Sequence, residues 1–137
     1  MIDWKECISK RFVKEAKTDE NVINSLVKTS KDKIYSNDKL ELDKFTASTK
    51  ITIVYDSLRE ILEALAIKKG FKIYNHECFC AFLEEVCQDK FYSQEFDKFR
   101  KIRNQINYYG KNIVPDEARI IIKEIFELRR QILSKYF

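Results

Sequence analysis

Glycine and proline are scarce in this chain, which has two glycines and one proline among its 137 residues. Tight hairpins and irregular loops depend on these two residue types for their backbone conformations, so their scarcity argues against a sheet-rich fold. Helices need neither residue in their interiors. The composition therefore predicts an all-α protein.

Long apolar runs are also lacking, and none approaches the roughly 18 residues that a membrane-spanning helix requires. The first residues do not follow the basic-then-apolar pattern of a signal peptide. We therefore expect a cytoplasmic protein that makes no membrane contact. With 45% hydrophobic and 35% charged residues, the chain suits one globular domain over residues 1–137.

The usual sequence motifs of enzymes are missing as well. The chain has no glycine-rich phosphate loop, no histidine and carboxylate cluster at metal-ligand spacing, and no recognisable nucleophile motif. His76 is the only histidine. A metabolic enzyme that acts alone is therefore disfavoured, and we expect neither a cofactor nor a metal.

The four cysteines are Cys7, Cys78, Cys80 and Cys87. Cys78 and Cys80 are two positions apart on a predicted helix and so point about 200° away from each other, which does not suit two ligands of one zinc ion. The favoured interpretation is buried, reduced cysteines in a cytoplasmic protein. A disulfide from Cys7 to one of the other three is the alternative if the source is a hyperthermophile.

Hydrophobic periodicity and capping residues predict the helices. The expected ranges are about 4–16, with Asp3 as N-cap; 18–35, capped by Thr18 and ended by a polar break at 36–38; 43–69, with Phe45 facing inward and Gly70 ending it; 75–86, capped by Asn75; 93–109, ended by Gly110; and 115–136, opened by Pro115. The predicted architecture is an up-and-down bundle of four main helices, with the short first helix packed outside it or swapped.

The most informative segment lies in the fifth predicted helix, where two faces differ sharply at about 100° per residue. The apolar face comprises Phe96, Phe99, Ile102, Ile106 and Tyr109. The polar face comprises Arg100, Arg103, Asn104, Asn107, Tyr108 and Lys111. Arginine supplies a planar fork of donors that suits phosphate, and asparagine and tyrosine add hydrogen-bonding groups. Together with Lys101, the polar face is a candidate nucleic-acid-binding surface.

Arg103-Asn104, followed by Tyr108, resembles the signature of the HEPN superfamily, in which an arginine, often followed by asparagine, precedes a histidine by four to six intervening residues. Tyr108 stands where that histidine is expected. The segment 69–77 looks like the turn before a middle helix in small archaeal members, and the ending Tyr108-Tyr109-Gly110-Lys111 fits the same comparison. The likeness in helix order and spacing extends from about residue 19 to the C-terminus.

The resemblance implies metal-independent cleavage of RNA at a dimer interface, with Arg103 and Tyr108 at the catalytic positions. Cleavage by the 2′-hydroxyl needs a group that moves a proton and a cation that stabilises the phosphorane. Arg103 suits the second task, but phenols are protonated at neutral pH and are poor bases. We therefore expect a degenerate ribonuclease motif that binds RNA or a nucleotide and cleaves weakly or not at all.

Alternative interpretations remain for each of these residues. Arg103 could form an ion pair with an acidic residue of a neighbouring helix, and Tyr108 and Tyr109 could be amphipathic residues at a helix end. His76 could replace the missing base, because a first-turn position keeps an imidazole neutral, or it could simply pack or cap. At the level of the whole chain, the alternatives are an active ribonuclease and a helical protein-interaction module.

The formal net charge of +4 permits a polyanionic partner without requiring one. We expect a homodimer, because Phe96, Phe99 and Ile106 flank the polar face and would leave apolar surface at its borders. The resemblance also implies a dimer, and it implies a small nucleotidyltransferase as a partner in a toxin–antitoxin pair.

Overall fold

The computed structural model describes all residues, 1–137, and the chain is predominantly α-helical. Six helices and two three-residue strands follow one another along the chain. They are α1 (Trp4–Ser9), β1 (Val13–Glu15), α2 (Glu20–Lys39), α3 (Ala47–Lys68), β2 (Phe71–Ile73), α4 (His76–Ala81), α5 (Lys90–Tyr109) and α6 (Pro115–Tyr136). No helix combines the length and the apolar character that crossing a bilayer requires. The all-α prediction is thus confirmed at this level.

Helix α3 is the centre of the fold and packs against α2, α5 and α6. Its apolar residues repeat at helical spacing on nearly every face, so most of the helix is buried. Phe79 and Phe82 from α4 and the turn after it, and Phe96 and Phe99 from α5, complete one core with it. Phe96 and Phe99 are at most 1% exposed within the single chain. The apolar border from which a homodimer was predicted is therefore largely absent.

The first helix is shorter than predicted. Asp3 caps it as expected, accepting a hydrogen bond from the Glu6 amide, but the helix ends at Ser9 and Arg11 adopts a left-handed conformation with φ of 62°. Residues 13–15 then pair antiparallel with 71–73, Val13 opposite Ile73. The prediction of helix through residue 16 was wrong, and no strand was predicted, because three-residue strands are specified by a distant partner rather than by local periodicity.

Three boundaries of the next two helices also differ from the predictions. Asp19, not Thr18, caps α2, and the helix continues through the supposed break at 36–38 to Lys39. Its last carbonyls, those of Asn37 and Leu40, accept hydrogen bonds from the buried Lys50 ammonium. Helix α3 begins at residue 47 rather than 43, because residues 43–46 form a turn in which Asp43 accepts hydrogen bonds from two amides; Phe45 is 81% exposed, not inward-facing.

The caps around α4 and α5 fix the elements that carry the predicted site. Asn75 caps α4 as predicted, and a π-helical turn over Phe82–Val86 continues it. Helix α5 starts earlier than predicted, at residue 90, because Asp89 accepts a hydrogen bond from the Tyr92 amide at 3.0 Å. It ends at Gly110, whose φ of 64° is the left-handed conformation that glycine adopts without strain.

Cys7 and Cys78 form a disulfide that joins α1 to α4. Both residues are fully buried, Cys80 is a buried free thiol, and Cys87 is a partly buried one. The favoured expectation of four reduced cysteines was therefore wrong for this pair, and the alternative, a disulfide from Cys7, is the one found. Composition could not select it, since bridging requires two distant segments to meet.

Candidate nucleic-acid interface

Arg103 projects from α5 as an unpaired cation. Its guanidinium carbon lies 5.6 Å from the ring centre of Tyr55 on α3 and 5.9 Å from that of Tyr108. Its Nη1 donates to the Oδ1 of Asn104 at 3.3 Å. The ion pairs that its neighbours make do not include it. The predicted alternative, an ion pair with a neighbouring helix, is thus not what the structure contains, and most donors of the guanidinium remain available.

One groove beside Arg103, hereafter the His76 groove, lies between α4 and α5 and has a volume of about 400 Å³. His76 and Asn75 come from the start of α4, whereas Asn104 and Tyr108 come from α5. The single histidine therefore lines the same groove as the motif arginine. Sequence reasoning named His76 as a replacement for the missing base but gave no sign that it faces Arg103.

Tyr55 contacts both His76 and Arg103. Its hydroxyl lies 2.9 Å from Nδ1 of His76, while its ring lies under the guanidinium of Arg103. The ring is 1% exposed, so both neighbours are held against a fixed support. Sequence reasoning missed Tyr55; the signal was a tyrosine within the inward stripe of α3, because a buried phenol hydroxyl needs a polar partner.

His76 is kept neutral by its surroundings. Burial disfavours its charged form, and the positive charge of Arg103 adds to this effect, so that the pKa of His76 falls from its ordinary 6.5 to about 4. The edge of its ring packs against Phe79. The side chain therefore packs, as one interpretation held, and its imidazole also lines the groove; burial and Arg103, rather than the predicted effect of the first helical turn, keep it neutral.

A second groove, hereafter the Thr52 groove, lies on the other side of Arg103 between α2, α3 and α5 and has a volume of about 390 Å³. Its polar lining includes Ser36, Thr52, Asp56 and Asn107. Only Asn107 and the shared Arg103 were predicted as site residues. The α2 and α3 residues were missed because a hydroxyl or carboxylate on a helix surface gives no sequence signal until the neighbouring helix is in place.

The other predicted cations differ from Arg103 because Asp97 neutralises two of them. Arg100 Nη2 lies 2.7 Å from Asp97 Oδ1, and Lys101 Nζ lies 3.0 Å from Asp97 Oδ2. Although burial opposes ionisation, these two partners hold the pKa of Asp97 below its usual value. Arg100 still lines the His76 groove, while Lys101 lines neither groove. Two of the four predicted cations are therefore held in one ion-pair cluster, while Arg103 and Lys111 have no carboxylate partner.

The remaining predicted residues are distributed unevenly. Asn104 faces the His76 groove and Asn107 the Thr52 groove, so the polar face of α5 divides between the two. Lys111 lies outside both grooves and donates to the Oε1 of Gln105 at 3.3 Å. Tyr109 was placed on the apolar face but is 84% exposed, because the last turn of α5 extends beyond the core.

Metal coordination has no candidate in this region, since no group of three or more potential ligand side chains is present. Comparison of the chain with known protein families, with curated proteins and with solved structures found no match in any of the three. Arg103 and the two grooves that share it are therefore the features of this chain that indicate a function.

Proposed function

We propose that this protein is a HEPN-like RNA-binding protein whose ribonuclease motif is degenerate, with Arg103 as the phosphate-binding residue. The observation that carries the proposal is the unpaired guanidinium held over Tyr55 at the meeting of two grooves. A cation placed against aromatic faces keeps its in-plane N–H groups free for an anion, and arginine binds phosphate through two such groups at once.

The tyrosines beside Arg103 support RNA rather than a simple anion as the ligand. Tyr108 is 69% exposed and Tyr74 is 59% exposed, and both rings border the His76 groove. Unstacked RNA bases stack on such rings, and asparagine amides such as that of Asn104 bond to base edges. An up-and-down HEPN-like bundle, a homodimer and a nucleotidyltransferase partner in a toxin–antitoxin pair are further parts of the proposal that rest on the motif resemblance.

The test is a comparison of two charge-removing variants on the same helix. Arg103→Gln should lower the affinity for labelled single-stranded RNA about tenfold or more, measured by anisotropy at several salt concentrations. It should also reduce the slope of log affinity against log salt by about 0.7, the value for one phosphate contact on a single strand. Lys90→Gln, at the far end of α5, is the matched control and should change both quantities much less.

Equal losses in the two variants would reduce Arg103 to one member of a general basic surface and contradict the proposal. RNA affinity that is unchanged in Arg103→Gln would contradict it as well. In that case the remaining class is a helical protein-interaction module, for which Arg103 has no special role.

A metal-independent ribonuclease is a second candidate, and the observation that favours it is the neutral His76 in the groove of Arg103. In this reaction the imidazole takes the proton of a 2′-hydroxyl, the 2′-oxygen bonds to phosphorus, and the bond from phosphorus to the 5′-oxygen breaks. Solvent then protonates the leaving 5′-oxygen, the imidazolium returns its proton to solvent, and Arg103 stabilises the phosphorane. Products ending in a 2′,3′-cyclic phosphate, formed in EDTA and lost in His76→Gln, would establish this activity.

A further inference from the structure

We infer that the ligand of this site is a single-stranded RNA segment of at least two nucleosides that crosses Arg103. The phosphate that links them would lie on the guanidinium, with one nucleoside in the His76 groove and the other in the Thr52 groove. The inference rests on the proposed function and deepens it, because it adds a second subsite on α2 and α3 and excludes a mononucleotide as the complete ligand.

The position of Arg103 is the first argument. It is the only residue that lines both grooves, so a phosphate bound to it has open space on two sides. The two volumes, about 390 and 400 Å³, are nearly equal. Each lies within the roughly 300–1,000 Å³ of small-ligand sites. A mononucleotide would fill one side and leave the other empty.

The chemistry of the Thr52 groove is the second argument. Asp56 lines it and is ionised, because hydrogen bonds from Arg59 and Lys33 outweigh the effect of burial and hold its pKa below the ordinary value. Lys33 also lines the groove, but it is paired with Asp56 at 3.2 Å and with Glu60, so the groove offers no free cation to a second phosphate. The Asp56 carboxylate can still accept a hydrogen bond from a sugar hydroxyl, and Ser36 and Thr52 add hydroxyl groups of their own. The groove thus suits a ribonucleoside better than another charged group.

The His76 groove has a different character, which suits the base of the other nucleoside. The exposed rings of Tyr74 and Tyr108 offer stacking surfaces, and the amide of Asn104 offers a donor and an acceptor. The Thr52 groove contributes no comparably exposed aromatic ring, because Tyr55 is buried beneath Arg103. The pair of grooves would therefore bind one nucleoside mainly through its base and the other mainly through its sugar.

Titration calorimetry with short ligands tests this arrangement. The dinucleoside monophosphates ApA and UpU carry one singly charged internal phosphate and no terminal phosphate, whereas AMP carries a more highly charged terminal phosphate. If charge alone decided affinity, AMP would bind more tightly. We expect at least one of the dinucleotides to bind at least tenfold more tightly than AMP, and its deoxy counterpart to bind more weakly than the ribose form.

Filling the Thr52 groove should remove this advantage. Thr52→Trp should lower the affinity for that dinucleotide to the level found for AMP, and Thr49→Trp, one turn earlier on an exposed face of α3, is the matched control. If circular dichroism shows that Thr52→Trp is misfolded, the double variant Ser36→Ala/Asn107→Ala replaces it and should weaken dinucleotide binding in the same direction.

The failures of the two proposals are distinguishable. Equal affinities for AMP and both dinucleotides, or an unchanged dinucleotide affinity in the folded groove variants, would overturn the two-sided site even if Arg103→Gln still abolished RNA binding. Equal binding of deoxy and ribose dinucleotides would overturn the assignment to RNA. RNA binding that does not depend on Arg103 would overturn the proposed function itself.

Discussion

Arg100 and Arg103 lie three residues apart on the same helix, yet their surroundings are opposite. Arg100 is bonded to Asp97 through Nε and Nη2, at 3.0 and 2.7 Å, and its side chain is 15% exposed. Arg103 has aromatic rings and an amide as neighbours, with no carboxylate partner. The contrast teaches that a row of cations in a sequence is not a binding surface until the acidic partners have been placed. Here a carboxylate holds one arginine, whereas the other has no carboxylate partner.

The largest expected effect is on stability and comes from removing the disulfide. The disulfide attaches α1 to α4, which lines the His76 groove beside Arg103, whereas the Asp97–Arg100 pair lies within α5. Because Cys7 and Cys78 are 71 residues apart, the chain-entropy model gives a loss of about 4 kcal/mol in the free energy of unfolding. Cys7→Ser/Cys78→Ser should show this loss in urea denaturation monitored by circular dichroism. Cys87→Ser, at a partly buried free thiol, is the control and should cost much less.

A double serine variant as stable as the wild type would show that the disulfide does not constrain the unfolded chain.

Removing Asp97 should produce the next largest effect on stability, because Arg100 then loses its ion-pair partner. Asp97→Asn leaves Arg100 without its counter-charge and weakens the contact from the Cys80 thiol, whose pKa burial raises to about 12. Hydrogen bonds to charged groups contribute about 1.5–3 kcal/mol, so we expect a loss of about 2 kcal/mol in the free energy of unfolding. Arg103→Gln should cost less than about 1 kcal/mol, the scale of a partly exposed cation–π contact.

If instead Arg103→Gln destabilised the fold more than Asp97→Asn, the roles assigned to the two arginines would be reversed. Chemical denaturation of the two variants at one pH decides this without reference to any ligand.

The smallest expected effect is on the pKa of His76, which burial and the positive charge of Arg103 lower. Because there is one histidine, its ring protons titrate as a single set of NMR signals. The midpoint should lie near the pKa of about 4 in the wild type and rise in Arg103→Gln, since that charge is the largest electrostatic cause of the depression after burial. Lys111→Gln, outside the groove, should leave it in place. The other charged or titratable groups that act on the imidazole are Arg59, Arg100, Asp56 and Tyr55.

The sign of the accompanying change in stability follows from the same pKa. Between about pH 6.5 and pH 4, the unfolded chain protonates His76 and the folded chain does not, so the free energy of unfolding falls as the pH is lowered. Above pH 6.5 this group contributes no pH dependence. The slope should be absent in His76→Gln, and an unaltered slope there would assign it to other groups.

Local signals predicted the helices well, and distant contacts explain the failures. Asp3, Asn75, Gly110 and Pro115 were placed correctly because a cap or a helix end acts within a few residues. The end of α2 was not, because the cation that caps it, Lys50, comes from the next helix.

The candidate site was predictable only on α5, where period and residue type are local. The ion pair of Arg100 could have been predicted from the sequence, since Asp97 stands three positions earlier and side chains at that spacing on a helix are neighbours. The approach of His76 and Tyr55 to Arg103 was not, because it depends on how α3, α4 and α5 pack together.

The single tryptophan gives the N-terminal segment an optical label of its own. Trp4 meets Phe71 edge-on at 5.2 Å and Phe82 at 5.9 Å, so its indole is partly buried against these rings only while α1 is packed on β2 and on the π-helical turn after α4. Far-ultraviolet ellipticity, in contrast, arises mainly from the four long helices. Emission from the indole and ellipticity therefore report two different events, the undocking of the first helix and the unfolding of the rest of the chain. When the two transitions separate along a denaturation curve, the interval between them measures how independently the first helix is attached.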